Sequence, residues 1–509
     1  MRDHCLEGAP RLTDFYRLTR ACSETWTGRQ ETLWFALMRT VVAGLLVLCI
    51  PVAWSCSSDV PPSSDSSGGS AGVAGTSDAA GAAGTGGVGG IGAAGSSLAG
   101  SSGSAASGST TGGTAGSGTG AAGGSVGGAG AAGAGGGPGG VVKGAGACRM
   151  PLGANFADAQ ANYQKWKTDL LTADGAGGFL RVKRPNSGSQ PNTSNSEGIA
   201  YGMEIAVYMD DQATFDKLWQ YEQLHRGANG LMDWEIDPNG AVTAGGSGAA
   251  SDGDEDMAFA LVMADKKWGG QGSLGDTYLN HAKKQIELIW QHEIDHTRND
   301  VLTPGDQFAD GQVINISYFA PAYYRIFGQV TGKTAEWNRT VQASYDAIEA
   351  TLNAANKNAT NGLVPAWSTP AGVPMAPPGS GHPTHHQLDS CRTPFRLAQD
   401  YCWFGEARAQ AYLQKISAFY AQIGATNLVD GYNLDGTVYG GATLHLAAFV
   451  GGAGVGAMAV PEQAKLRDEA YPALAAWQSL IGGSLYYNES WSMLSLLMMS
   501  GHFDDLTAN

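Results

Sequence analysis

Three short segments of the chain place carboxyl groups in surroundings that suit acid–base chemistry. Glu197 lies in the segment SEGIAYGM, Asp252 begins the acidic run DGDED, and Asp389 lies in the segment LDSCRTP. Inverting hydrolysis of a glycosidic bond uses one protonated carboxyl group on the leaving oxygen and one ionised carboxylate that activates water across the sugar ring. A glutamate among small residues and a tyrosine can be partly desolvated, which favours its protonated form. The three segments are therefore candidates for such a pair.

Each segment also has a purely structural interpretation. A glutamate at a helix start is stabilised by the helix dipole, and aspartates before a helix are common caps. The acidic run does not fit an EF-hand, because Met257 and Met263 stand where that loop needs a glycine and a glutamate. Pro394 follows Asp389 closely, so Asp389 could also cap a helix. The motifs alone leave both interpretations open.

Three histidines, His382, His385 and His386, precede the third segment and could suggest a zinc site. A fourth ligand or a pair of cysteines is missing nearby, so a solvated loop is the favoured interpretation. No metal or cofactor is expected, because two carboxyl groups and water suffice for the hydrolysis described above.

The elements that would position these residues are mostly helices. Apolar residues recur at helical spacing after Cys148, while two-residue alternation is scarce, which argues against a parallel sheet with crossover helices. The pattern predicts an all-α domain with functional loops at the helix ends. Helices are predicted at 155–171, 198–225, 318–329, 393–423, 462–480 and 490–499, and around 257–268, 279–289 and 337–352.

The composition divides the chain into three parts: a leader at 1–56, a linker at 57–147 and a folded domain at 148–509. The linker is almost entirely glycine, alanine, serine and threonine, which predicts disorder.

The leader contains a short apolar run that ends near Cys56 and is typical of a signal peptide. This ending resembles a bacterial lipobox, so lipidation of Cys56 and ordinary secretion are both considered. Acidic residues before Met38 do not fit the positively charged start of a signal peptide, which favours Met38 as the true start.

The formal net charge is −16, and clustered lysine and arginine are lacking, which argues against nucleic-acid binding. A neutral polysaccharide is compatible with this charge, and a monomer is expected. The folded part contains three cysteines, Cys148, Cys391 and Cys402, so it can form at most one intrachain disulfide bond.

The three carboxyl-bearing segments occur in the order and context of family 8 glycoside hydrolases, which the chain resembles from about Asn155 to its end. Many matched segments in one order are more specific than any single motif. The resemblance implies an (α/α)6 barrel of paired helices with an open cleft across the ends of the inner helices. The matching segments are 196–203, 206–208, 230–234, 250–260, 264–269, 317–324, 362–367, 392–405 and 429–432.

The resemblance also implies roles for the carboxyl groups. Glu197 corresponds to the general acid, Asp389 to the base that activates water, and Asp252 to the carboxylate that binds and distorts the sugar at the cleavage point. An arginine beside Asp389 favours its ionised form.

Four further residues are implied to contact the substrate or its water. Tyr318 would help to hold the water, Arg392 would orient the base, and Tyr201 would border the acid. Trp234 would stack on a pyranose ring, although a tryptophan is also a common core residue.

The resemblance implies an endo-acting β-1,4-glucanase, with xylanase, chitosanase and mixed-linkage glucanase as alternatives. Leu388 stands where a tyrosine commonly precedes the base, and 305–308 lacks the expected aromatic and basic ending, so the preferred glycan is the less certain part. A non-catalytic glycan-binding surface protein is the alternative from another class. The presence of all three carboxyl groups argues against it, because binding alone does not require them.

Overall fold

The computed structural model describes residues 140–308, 312–378, 380, 382–477 and 484–508. Within these ranges the chain forms twelve α-helices and four antiparallel pairs of two-residue strands. The helices are α1 (Phe156–Leu170), α2 (Ser196–Tyr208), α3 (Gln212–Leu224), α4 (Ser251–Lys267), α5 (Tyr278–His292), α6 (Pro321–Thr331), α7 (Thr334–Thr351), α8 (Thr393–Phe404), α9 (Ala407–Ile423), α10 (Ala447–Met458), α11 (Ala464–Ala475) and α12 (Leu485–Met499). None of the helices in the described ranges is long and apolar enough to cross a bilayer.

The helices alternate between an inner and an outer layer. The even-numbered helices are buried on nearly all sides, whereas the odd-numbered ones bury only one stripe of residues. An amphipathic helix must cover its apolar stripe with a neighbour, and a helix that is buried all round must lie in the centre. The last inner helix, α12, packs against both α1 and α2, which closes the ring. The expected all-α (α/α)6 barrel is confirmed.

The four strand pairs lie in the loops that join the helix layers. Strand β1 (Leu171–Thr172) pairs with β2 (Arg181–Val182), and β3 (Ser194–Asn195) pairs with β4 (Glu235–Ile236). Further along, β5 (Ile294–Asp295) pairs with β6 (Val301–Leu302), and β7 (Ile314–Asn315) pairs with β8 (Trp367–Ser368). The β3–β4 and β7–β8 pairs lie directly before α2 and shortly before α6, so they fix the loops at the starts of these inner helices.

Two of the predicted helices are each divided in two. The segment 198–225 breaks between α2 and α3, where Asp210 takes a left-handed conformation with φ 60° and the Asp211 side chain caps α3. The segment 393–423 breaks at Gly405, which has φ 73°. A glycine in this conformation ends a helix at little steric cost.

The N-terminal strap, residues 140–150, packs across the carboxyl ends of two inner helices. The backbone N–H of Ala145 donates to the Trp403 carbonyl at 3.0 Å, and that of Arg149 donates to the Met458 carbonyl at 2.9 Å. These bonds satisfy carbonyl groups that a helix end leaves without an internal partner. The ordered domain thus begins ahead of the predicted boundary at residue 148. The rest of the predicted linker and the leader lie outside the described residues.

A disulfide bond joins the strap to α8. Cys148 and Cys402 are bonded, with 5.4 Å between their Cα atoms, and Cys391 is free and buried. The sequence allowed one bond among these three cysteines but did not identify the pair.

Candidate active site

The site forms where the amino ends of the inner helices meet. Glu197 lies in the first turn of α2 and Asp252 in the first turn of α4. Asp389 directly precedes a 3-10 turn, Ser390–Arg392, that leads into α8. Residues distant in the sequence therefore meet because parallel inner helices begin at one end of the barrel.

A single guanidinium group joins the three carboxyl groups. Arg392 Nη1 donates to Asp252 Oδ2 at 2.9 Å and to Glu197 Oε1 at 3.1 Å, and Nη2 donates to Asp389 Oδ1 at 3.2 Å. Its Nε donates to the Ser317 hydroxyl at 3.1 Å. Because arginine stays charged and presents donors in a fixed plane, it fixes the relative positions of the three carboxyl groups.

The three carboxyl groups differ in their access to solvent. The exposed fraction of the side chain is 31% for Asp389, 15% for Glu197 and 4% for Asp252. Water can therefore reach Asp389 most readily. The second oxygen of Asp389 accepts a hydrogen bond from Gln387 Nε2 at 2.7 Å, so both of its oxygens have protein donors.

Burial raises the pKa of Asp252 to about 7, and the negative charge of Glu197 acts in the same direction, although Arg392 opposes both. Three carboxyl groups and one arginine would leave an uncompensated negative charge in a poorly solvated place. The Asp252 carboxyl group therefore retains its proton up to near neutral pH.

The tyrosines and the tryptophan implied by the resemblance surround this cluster. The Arg392 guanidinium carbon lies 5.0 Å from the ring centre of Tyr318. Trp234 is half-buried, its Nε1 donates to the Gly245 carbonyl at 2.8 Å, and its own carbonyl accepts from Ser196 N at 3.1 Å, next to Glu197.

The prediction that Tyr201 contacts the substrate is corrected by the structure. Tyr201 is fully buried, and its hydroxyl donates to Glu197 Oε1 at 2.5 Å. Its role is to hold the carboxyl group from within the barrel.

The acidic run enters the barrel and does not cap α4. The cap position is Ala250, which makes no side-chain cap hydrogen bond. Asp254 accepts from Gln285, Glu255 from Tyr324 and Asp256 from Arg396, at 2.9, 2.9 and 2.6 Å respectively. Among the described residues, no group of three or more histidine, cysteine or acidic side chains has an arrangement that could hold a metal ion.

The expected solvated loop of histidines is wrong for His386. Its ring is fully buried, with Nδ1 2.9 Å from the Val364 carbonyl and Nε2 2.7 Å from the Tyr420 hydroxyl. Burial lowers its pKa to about 4, because a charged imidazolium would be poorly solvated there, and the hydrogen bond with the Val364 carbonyl opposes this shift only in part. His385 is stacked on Tyr439, with 3.5 Å between ring centres.

Three residues of the site carry no sequence signal that identified them. Asn195 and Tyr486 contact Glu197, and Gln387 contacts Asp389. Asn195 could have been recognised only as a helix cap, a role it also fulfils by accepting from Gly198 N. Tyr486 precedes the predicted helix 490–499, which in fact begins at Leu485.

Two carboxyl groups on either side of one arginine, one shielded and one accessible to water, can act as acid and base in a hydrolysis. Together with a toroid of paired helices, this site defines a carboxylate-dependent glycoside hydrolase. Residues 146–501 match the model of the glycosyl hydrolases family 8. The chain belongs to this family.

Individual relatives agree with this assignment. Endoglucanase A of Acetivibrio thermocellus is 37% identical over 346 residues, 68% of this chain and 69% of that protein. Endoglucanase 2 of Ruminiclostridium josui is 35% identical over 348 residues, 68% of this chain and 72% of the relative. A solved structure of a β-1,3-1,4-glucanase from Paenibacillus sp. X4 superposes with a TM-score of 0.63 at 26% identity, covering 71% of this chain and 97% of that one.

Proposed function

We propose that this glycoside hydrolase is an inverting, endo-acting enzyme that cuts β-1,4-glucan. The observation that carries the proposal is the contact of Arg392 with Glu197, Asp252 and Asp389 at the mouth of the barrel. The similarity to two endoglucanases supports glucan as the substrate and internal cleavage as the mode of action.

In the proposed reaction, Glu197 gives its proton to the glycosidic oxygen as the bond from that oxygen to the anomeric carbon breaks. Asp389 takes a proton from a water molecule, and the remaining hydroxide forms the new bond to the anomeric carbon. Bond breaking and bond making occur on opposite faces of the sugar, so the configuration inverts. The proton on Asp389 then returns to Glu197 through solvent, which restores the starting state.

The assignment of roles follows solvent access. Asp389 is the most exposed of the three carboxyl groups and can meet a water molecule, while Arg392 Nη2 donates a hydrogen bond to it at 3.2 Å and fixes its orientation. Asp252 is almost completely buried and is suited to hold a sugar hydroxyl at the cleavage point. Trp234 is half-buried, and its backbone carbonyl accepts a hydrogen bond from Ser196, next to Glu197, so a neighbouring pyranose could stack on its indole ring.

The proposal includes the cellular setting indicated by the leader. We expect secretion or attachment to the outer cell surface through lipidated Cys56, with the catalytic domain acting as a monomer on external polysaccharide. The segment that carries this prediction lies outside the described residues.

A substrate panel tests the function. The purified protein should lower the viscosity of carboxymethylcellulose while releasing few reducing ends, and should act less on lichenan, xylan and chitosan. A preference for xylan or chitosan would show that the enzyme is a xylanase or a chitosanase, respectively. Retarded migration in a glucan-containing gel without any hydrolysis would favour the non-catalytic binding protein.

A further inference from the structure

The two oxygens of the Glu197 carboxyl group have different neighbours. Oε1 accepts from the Tyr201 hydroxyl at 2.5 Å and from Arg392 Nη1 at 3.1 Å. Oε2 accepts from the Tyr486 hydroxyl at 3.0 Å and from Asn195 Nδ2 at 3.3 Å. A general acid carries its proton on one of its two oxygens, and these neighbours determine which one.

Both groups that contact Oε1 among the described residues act as hydrogen-bond donors to it. Arginine has no acceptor, and a phenol has one hydrogen and a limited capacity to accept. The oxygen of Tyr201 already receives hydrogen bonds from Arg392 Nη1 at 3.3 Å and from Trp491 Nε1 at 3.2 Å. Its single hydrogen is therefore directed at Oε1. A proton on Oε1 would face two donors and would break at least one of these bonds.

Oε2 has a neighbour that can accept. Within the described ranges, the Tyr486 oxygen receives a hydrogen bond only from Asn195 Nδ2, at 3.1 Å. One acceptor position of the phenol remains, so a proton on Oε2 can donate to Tyr486 when no sugar is bound. Once the proton has left, the hydroxyl hydrogen of Tyr486 can rotate about the C–O bond and be donated to the ionised carboxylate, while the ring stays in place.

Two elements hold Tyr486 in this position. Its ring is 5% exposed and lies 5.2 Å from the guanidinium carbon of Arg184, which pairs with the buried Glu235 at 2.7 Å. The next residue toward the amino end, Leu485, donates its N–H to the Asn186 side chain at 2.9 Å. The start of α12 is thus joined to the loop before β3, and the phenol has little freedom to move.

We infer that Oε2 is the oxygen that carries the catalytic proton and that Tyr486 is the positioning residue that holds it. The inference rests on the proposed role of Glu197 as the acid. Tyr486 donates most strongly after the proton has passed to the glycosidic oxygen, so its effect is larger in the transition state than in the ground state.

The test is Tyr486→Phe, measured on two substrates with different leaving groups. Cleavage of a cello-oligosaccharide requires protonation of the leaving sugar, whereas a dinitrophenyl cello-oligosaccharide releases a phenolate that needs no proton. We expect turnover of the first substrate to fall roughly 10- to 100-fold, the value of one hydrogen bond to a charged group. Turnover of the second should stay near that of the unmodified protein.

Tyr487→Phe is the matched control, because Tyr487 is the adjacent residue and its hydroxyl donates to the Leu388 carbonyl at 2.6 Å, next to the base. Any loss in this variant should be the same on both substrates. Asn195→Ser keeps a cap for α2 but removes the amide that orients the phenol, so it should show the selective loss in weaker form.

Equal losses on both substrates for Tyr486→Phe, or no loss with an unchanged melting temperature, would overturn the inference. Glu197→Gln separates this failure from a failure of the proposed function. If Glu197→Gln does not lose the cello-oligosaccharide selectively, the assignment of the acid itself is wrong. If it does and Tyr486→Phe does not, only the role of Tyr486 is refuted.

Discussion

Arg392 contacts Glu197, Asp252 and Asp389 through one guanidinium group, so the positions of these three acids depend on one another. Removal of one of these side chains changes the electrostatic potential at the others. Substitutions in this cluster should therefore change both the turnover number and the free energy of unfolding.

Glu197→Gln removes the proton donor and Asp389→Asn removes the base. Each change should lower kcat on glucan by roughly 100-fold or more, the usual contribution of general acid or base catalysis. The control is Asp265→Asn at the other end of α4, which should leave kcat unchanged, because among the described residues the Asp265 side chain forms an ion pair only with the neighbouring Lys266, at 3.7 Å. Near-normal turnover by Asp389→Asn would reduce Asp389 to a structural residue.

Asp252→Asn should change how stability depends on pH. Because the pKa of Asp252 is raised to about 7 in the folded state, that state binds more protons than the unfolded chain between about pH 4 and 7. Asp252 therefore makes the protein less stable as pH rises through this window. The variant, which lacks this group, should gain stability relative to the original protein by up to roughly 1.4 kcal/mol per pH unit there, and nothing further above pH 7.

Urea unfolding at pH 5, 6, 7 and 8 measures this difference. Subtracting one protein from the other cancels the contributions of those acids that do not interact with Asp252. A difference in unfolding free energy that is flat between pH 5 and 7 would mean that Asp252 is ionised throughout this window and would contradict the prediction.

For individual residues, the sequence predicted the site groups that lie in segments with several characteristic neighbours. It did not predict the site groups that lie outside such segments. Glu197, Asp252, Asp389 and Arg392 meet as predicted, because each lies in a segment with several characteristic neighbours. Tyr486 lies far along the chain in no such segment. It reaches Glu197 only because α12 closes the ring against α2, and no local pattern encodes that contact.

Among the elements, α10 (Ala447–Met458) was missed by the sequence analysis. It contains four glycines, which cost helix stability when considered alone. Its environment explains them. A Cβ at position 451 would lie 2.2 Å from the Ser495 hydroxyl, and one at position 452 would lie 2.3 Å from the Cys391 carbonyl. The glycines allow α10 to approach its neighbours closely, so tertiary packing overrides local propensity.

Gly452→Ala should therefore disturb the candidate active site through the contact between α10 and the turn at residues 390–392. The added methyl group would push the backbone of the turn that carries Arg392, and such overpacking costs roughly 1–3 kcal/mol. We expect a lower melting temperature and lower kcat. Gly456→Ala on the same helix is the matched control, because the nearest atoms to its Cβ would be side-chain atoms, at 3.1 Å in Pro394, 3.4 Å in Leu413 and 3.6 Å in Ser417.

Comparison of the two alanine variants by thermal unfolding and by turnover separates packing from helix propensity, since both variants gain the same propensity. If Gly452→Ala is as stable and as active as Gly456→Ala, the close approach of α10 to the Arg392 turn does not support the site.

In the described part of the molecule, the candidate active site and the N-terminal strap lie at opposite ends of the barrel. The carboxyl groups lie at the amino ends of the inner helices, whereas the N-terminal strap lies at their carboxyl ends. Along α8, Arg392 and Cys402 are separated by roughly 15 Å, given a rise of about 1.5 Å per residue. The amino-terminal end of the described part of the chain therefore lies at the end of the barrel opposite the three carboxyl groups.

Opening the disulfide bond should lower stability without abolishing catalysis. Cys148 and Cys402 are 254 residues apart, and a bond that closes a long loop typically contributes about 2–4 kcal/mol. We expect dithiothreitol to lower the melting temperature of the original protein and of Cys391→Ser, but not that of a Cys148→Ser, Cys402→Ser double variant. Activity of the folded, reduced enzyme at a low temperature should stay close to normal. A loss of kcat in proportion to reduction would show that the strap influences the carboxyl groups after all.

The central claim is that Glu197 and Asp389 act on opposite faces of the sugar. Proton NMR of the first product released from a cello-oligosaccharide, recorded before mutarotation equilibrates the anomers, tests this claim directly. The account predicts that the α-anomer appears first from the β-linkage and decays toward equilibrium. Initial formation of the β-anomer would show retention through a covalent intermediate, and would contradict the pairing of Glu197 as acid with Asp389 as the base for water.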